Sequence, residues 1–250
     1  MIAAVLVLAV LLGAWELYAV LGNVDSFILP APHEVAQSLW TDWDVLRPDL
    51  GVTLSEVLLG IALAVALGAL FATLVHLSPT LRRALYPLLV SSQTIPVVIV
   101  APLLIAWLGF GLAPKLAIIA LVCFFPVTVT TLDGLAGVDP ALPKLMKTLG
   151  ASRWQTFRRV EAPAALPSLF SGARIAVAVA VIGAVFAEQS GSSAGLGHLI
   201  TLAIPQLETA RAYAAVVLLA LIAVVLFTIL SALERLLLPW ARTDRGGASP

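Results

Sequence analysis

Apolar residues in this chain fall into long runs with short polar interruptions, not into the alternation of half-buried strands. Six runs have the length and composition of membrane-crossing helices: about Ile2–Leu21, Val52–Leu77, Leu85–Leu108, Lys115–Leu132, Ser168–Ala187 and Tyr213–Leu236. The pattern predicts an all-α integral membrane protein, with residues 1–250 forming a single transmembrane domain. The first run lacks the basic flank and small-residue cleavage site of a signal peptide, so it reads as a helix that stays.

The interruptions differ in character. Residues 22–50 carry Asp25, Glu34, Asp42, Asp44 and Asp49 against Arg47, with Pro30 and Pro32 as punctuation. Leu39, Trp40 and Trp43 suggest a short amphipathic helix there, lying on the outer membrane surface. Gly109 to Pro114 reads as a tight turn, Leu199 to Arg211 as a re-entrant or surface segment, and 239–250 as a disordered tail. Gly60 and Gly68, among many alanines, mark the second run as a bundle-interior helix, because small residues let helices approach closely where lipid gives no hydrophobic drive.

The longest polar interruption, 139–167, reads as two short helices. Asp139-Pro140 starts the first, and Leu142, Leu145, Met146 and Leu149 form its apolar stripe. Gly150 ends it in a left-handed cap. Ser152 and Gln155 have capping-box spacing and begin the second, which carries Trp154, Phe157 and Val160 and stops before Pro163 and Pro167. With Arg153, Arg158 and Arg159, the result is a basic helical hairpin with an oily edge.

Composition agrees with this layout: 61% of the residues are hydrophobic and 11% charged. A formal net charge of zero argues against nucleic acid as a partner. Six crossings put both termini on one side, and eleven of the fourteen Lys and Arg residues fall on that side or in its loops. The positive-inside rule makes this the cytoplasmic side and places the hairpin there. The single cysteine, Cys123, sits within an apolar run and reads as a packing residue.

Catalytic and metal-binding signatures are absent. There is no phosphate-cradling Gly-x-x-x-x-Gly-Lys-Ser/Thr loop, so any ATP-derived energy must come from another chain. His33, His76 and His198 are too dispersed for a metal set, and no local signature of an activated nucleophile occurs. The polar stretch Ser91-Ser92-Gln93-Thr94-Ile95-Pro96 either lines a translocation path or joins helices by hydrogen bonds. Glu188, where the fifth run meets the Gly/Ser-rich segment 190–197, is either an outer-gate carboxylate or an interfacial one. Glu16, Glu56 and His76 read chiefly as interfacial residues.

Leu149-Gly150-Ala151-Ser152, Trp154, Phe157-Arg158-Arg159 and Pro163-Ala164-Ala165-Leu166-Pro167 resemble the EAA cytoplasmic loop of permease subunits in bacterial binding-protein-dependent ABC importers. The closest likeness is to the nitrate, taurine and alkanesulfonate branch, and it extends from Leu29-Pro30-Ala31-Pro32 to Arg235. Lys144-Leu145-Met146 stands where the pattern has Glu-Ala-Ala. The resemblance implies a non-enzymatic transport subunit that pairs with a second copy of itself, two cytoplasmic ATPases holding ATP and Mg, and an extracytoplasmic substrate-binding protein. It implies that Leu145, Met146, Lys147, Thr148, Leu149, Gly150, Ala151, Ser152 and Trp154 couple to the ATPase, and that Gln93, Thr94, Thr128 and Glu188 line the path. The solute implied is nitrate-, sulfonate- or taurine-like, with a pyrimidine-type vitamin precursor as the alternative. A self-sufficient secondary carrier is the rival outside the family, although no internal repeat is visible.

Overall fold

The computed structural model describes residues 2–92 and 94–242, and among these there is no strand. The helices are α1 (Ile2–Leu21), α2 (Pro32–Thr41), α3 (Trp43–Leu77), α4 (Pro79–Ser92), α5 (Val97–Leu108), α6 (Leu112–Ala136), α7 (Ala141–Thr148), α8 (Arg153–Thr156), α9 (Ala162–Gly191), α10 (Leu196–Ala203) and α11 (Thr209–Leu237). A π-helical turn, Phe157–Glu161, joins α8 to α9 without a break. Among the described residues, four helical stretches are long and apolar enough to cross a membrane: Trp43–Leu77, Leu112–Ala136, Arg153–Gly191 and Thr209–Leu237. Leu6–Leu21 and Ile99–Leu108 are shorter apolar helices.

The bundle is built around α6, which lies between α3 and α9. Small residues make this possible. A Cβ on Gly60 would fall 2.4 Å from Ile119 Cγ2, and one on Gly172 would fall 2.1 Å from Thr130 Oγ1. A Cβ on Gly68 would fall 2.8 Å from Val127 Cγ1. Cys123 is buried in this seam, where its thiol donates to the Ala176 carbonyl at 3.3 Å. The core continues through Ala176, Ala180 and Ala184 of α9 to Leu218, Ile222 and Leu226 of α11. Arg174 of α9 pairs with Glu234 of α11 at 2.5 Å.

Several boundaries differ from the sequence expectation. The outer segment does not persist to residue 50, because α3 begins at Trp43 and carries Pro48 inside it. At about 1.5 Å per residue this helix is roughly 52 Å long, well beyond a hydrocarbon layer of about 30 Å. Asp44, Arg47 and Asp49 therefore fall in its first turns without ending it. The expected third span is not one helix: Pro96 supplies no N–H and biases Ile95 away from the helical region, so the chain breaks between α4 and α5. α6 starts at Leu112, inside the expected turn, since Pro114 in a first turn forfeits no hydrogen bond.

The second hairpin helix does not stop before Pro163. Through the π turn, Ala162 N–H bonds to Phe157 O, five residues back, and Pro163 falls where the ladder returns to α spacing. The missing proline N–H lands in that changeover, so the helix runs on to Gly191 and includes the expected fifth span. Of the re-entrant or surface segment expected over Leu199 to Arg211, residues 199–203 belong to α10, where Leu199, Ile200 and Ala203 are buried, while residues 204–207 are exposed. Within the expected disordered tail, Pro239–Arg242 forms a single 3-10 turn, and 243–250 lie outside the described residues.

At the corner between α2 and α3, Asp42 accepts from Arg211 at 3.1 Å and from Ser38 at 2.6 Å, tying α2 to the start of α11. Burial opposes ionisation of Asp42, but these two donors outweigh it and hold its pKa below the ordinary carboxylate value.

Candidate coupling hairpin and translocation elements

The hairpin forms through the local signals expected of it. Asp139 Oδ1 accepts from Ala141 N at 2.8 Å, opening α7. Gly150 lies at φ +78°, a left-handed position suited to glycine, and Ala151 N returns to Met146 O at 3.0 Å. Both arms of the capping box are made: Gln155 N donates to Ser152 Oγ at 3.2 Å, and Ser152 N to Gln155 Oε1 at 2.8 Å. These bonds bring Leu145, Leu149 and Trp154, which are 56%, 72% and 57% exposed, to the surface beside Lys144, Lys147, Arg158 and Arg159. Thr148 is exposed and turned back onto Lys144 O; Met146 and Ala151 are half-buried.

Behind this surface the hairpin is bolted to the bundle. Phe157 is buried with Leu135 of α6 and Ala165 of α9, and its ring stacks on Trp154 at 5.3 Å. Glu161, also buried, accepts through one oxygen from Arg153 at 2.5 Å and from His76, at the end of α3, at 3.0 Å. Sequence reasoning did not find this linkage. Its one signal was a carboxylate amid the arginines of the hairpin, with nothing to say that His76 would arrive from 85 residues away.

The opposite end of the bundle holds a buried polar cluster. Glu188 is fully enclosed: Oε1 accepts from Thr53 Oγ1 at 2.6 Å and Oε2 from Gly197 N at 2.6 Å. Gly195 N donates to Asp49 at 2.7 Å, and Leu196 N to Thr53 Oγ1 at 2.9 Å. Three consecutive backbone N–H groups at the start of α10 are thus satisfied by side chains of α3 and α9. Gly195 has φ +114°, and a Cβ there would lie 2.3 Å from Glu188 Cδ. Beside this clamp Lys115 pairs with Glu56 at 2.6 Å, both buried. The helical spacing of Asp49, Thr53 and Glu56 placed these groups on one face of α3 and was the available signal; their partners were not legible. Lys115 also borders a cavity of about 500 Å³ with Phe110, Gly111, Gly191, Ser192 and Ser193.

The candidate path residues are dispersed in the single chain. Thr94 is exposed in the break between α4 and α5, donating to Ser91 O at 2.8 Å. Thr128 is fully buried at the α3–α6 crossing and donates to Phe124 O at 2.7 Å. Glu188 belongs to the clamp, and Gln93 lies outside the described residues. A cavity of about 410 Å³ opens at the helix break, lined by Ile95, Pro96, Val97, Val100, Leu121, Val122 and Phe124. Among the described residues no group of three or more His, Cys, Asp and Glu could hold a metal ion.

Residues 64–243 match the family described as binding-protein-dependent transport system inner membrane component. The chain belongs to this family of ABC importer permeases. A probable ABC transporter permease protein of Haemophilus influenzae is 40% identical over 89% of this chain and 91% of its own length. The formylaminopyrimidine transport permease protein ThiX of Halalkalibacterium halodurans is 36% identical, covering 91% of each chain. The taurine transport system permease protein TauC of Escherichia coli is 33% identical over 93% of this chain and 87% of its own length. The crystal structure of an amino acid ABC transporter with histidines shares the fold, with a TM-score of 0.62 at 17% identity over 81% of this chain and 97% of the other. This permease is therefore a membrane transport subunit and not an enzyme, and an ATPase and a substrate-binding protein are its partners.

Proposed function

We propose that this permease works as one of two identical membrane subunits and docks the 139–161 hairpin into a cytoplasmic ATPase that binds ATP and Mg. The supporting observation is the hairpin surface: exposed Leu145, Leu149 and Trp154 amid Lys144, Lys147, Arg158 and Arg159. In this reading α1, α3, α4 together with α5, α6, α9 and α11 make six crossings, with lipid around them, the hairpin and both termini in the cytoplasm, and α2 on the outer surface. ATP-driven closure of the ATPases moves the hairpin and swings the bundle between inward- and outward-facing states. The path runs at the interface with the second copy, with Gln93, Thr94, Thr128 and Glu188 as its proposed lining. Thr128 and Glu188 are enclosed in the present state, so helix movement must expose them.

The solute is a small molecule or ion, and the first reading is a nitrate-, sulfonate- or taurine-like one, taurine being the cargo in the name of one relative. A specific observation favours a second reading, a pyrimidine-type precursor such as the cargo named for another relative. Lys115 and Arg174 are each already neutralised by a glutamate, leaving neither as an unpaired counter-charge for an anion. Uptake of taurine and of formylaminopyrimidine by proteoliposomes containing the permease, its ATPases and its binding protein separates the readings. In the same system Gly150→Pro should abolish uptake while ATP hydrolysis and membrane insertion persist, because proline cannot adopt φ +78°. Normal uptake by a stably inserted variant refutes the coupling role.

A further inference from the structure

We propose that Glu161 is a positioning residue for transport, forming the joint through which hairpin movement is carried into α3; this rests on the hairpin being the coupling element. The hairpin is continuous through the π turn with α9, so any displacement of it reaches α9 along the chain itself. Helix α3 has no such covalent connection. Its end meets the hairpin through Leu77, which packs against the Phe157 cluster, and through one polar joint, the Glu161 carboxylate, on which Arg153 of the hairpin and His76 of α3 converge at a single oxygen. The His76 ring also lies 6.3 Å from Phe157, which stacks on the exposed Trp154. A push on the Trp154 surface thus meets α3 through an aromatic contact and an ion-paired one.

The far end of α3 makes this linkage consequential. Asp49 and Thr53 hold the backbone of Gly195 and Leu196, and Glu188 of α9 holds Gly197. The turn before α10 is therefore gripped from two helices whose opposite ends meet at Glu161. With the joint intact, α3 and α9 shift together and carry the turn between them. With it broken, α9 moves alone and the turn is not carried.

The test uses the full complex of permease and ATPases in proteoliposomes. Ser193→Cys, on the exposed part of the outer turn, reports by its labelling rate with a membrane-impermeant maleimide, with and without ATP plus vanadate; Cys123 is buried. Lysine-reactive cross-linking of Lys147 to the ATPase monitors docking. The parent should show a several-fold nucleotide-dependent change in labelling. Glu161→Leu, which removes the acceptor, and His76→Leu should lose that change while keeping the cross-link and ATP hydrolysis. His76→Gln, whose amide can still donate to Glu161, should retain it, which a general loss of packing would not produce. If Glu161→Leu does not assemble, the contrast between the two His76 variants decides. Survival of the labelling change in Glu161→Leu or His76→Leu overturns the joint and leaves the docking reading standing, as does its absence from a cross-linked parent. Loss of the cross-link in the variants shows that Glu161 acts on docking and also overturns the joint. A parent that gives no cross-link removes the docking reading and this inference together.

Discussion

Removing the Glu188 carboxylate should cost this permease a large part of its stability. Glu188→Ala leaves the Gly197 N–H without its acceptor and the Thr53 hydroxyl without the group it donates to, both in a fully enclosed site. A hydrogen bond contributes about 0.5–1.5 kcal/mol, and orphaned buried donors cost about 1–3 kcal/mol each. The loss of two such bonds comes to roughly 3–5 kcal/mol. For a chain of this size about 1 kcal/mol moves Tm by about 2–4 °C, so the expected fall is on the order of 10 °C. Thermal unfolding of the detergent-extracted chain measures it. Thr53 is shared, accepting from Leu196 N while donating to Glu188, so Thr53→Val combined with Glu188→Ala should cost less than the two single changes summed. A Glu188→Ala variant within a degree or two of the parent, or strict additivity in the pair, refutes the clamp.

Gly60→Ala should destabilise by about 1–3 kcal/mol through overpacking against Ile119, and Ile119→Ala should recover part of that loss, because the cavity accepts the added methyl; thermal unfolding of the pair checks the compensation. Glu34 gives a pH dependence near α2. The Ser26 hydroxyl and the Ala31 N–H hold its pKa below the ordinary 4.5, so its folded pKa lies under the unfolded one. Its contribution is complete above about pH 4.5 and is lost as pH falls through the depressed folded value. Plots of Tm against pH should therefore converge for parent and Glu34→Gln below that range, and parallel curves count against it.

The amino-acid sequence alone determined the local and the lipid-facing parts of this permease. Long apolar runs have one solution in a bilayer, a helix that satisfies its own backbone, so the all-helical class was legible. The hairpin ends were equally so, because Asp139, Gly150 and the Ser152–Gln155 box act within a few residues of themselves. Only the tertiary structure decided the partners of the buried charges. Lys115 with Glu56, Arg174 with Glu234, and His76 with Glu161 are each about 60 residues apart or more, and helical periodicity sets which face a residue occupies without saying which helix will meet it. The breaks and continuities followed the same division. Pro96 ends a helix where nothing compensates for its missing N–H, whereas Pro163 is absorbed by a π turn whose side chains are tied to neighbouring helices. A proline states that one hydrogen bond is lost, and the surrounding packing determines whether the helix survives the loss.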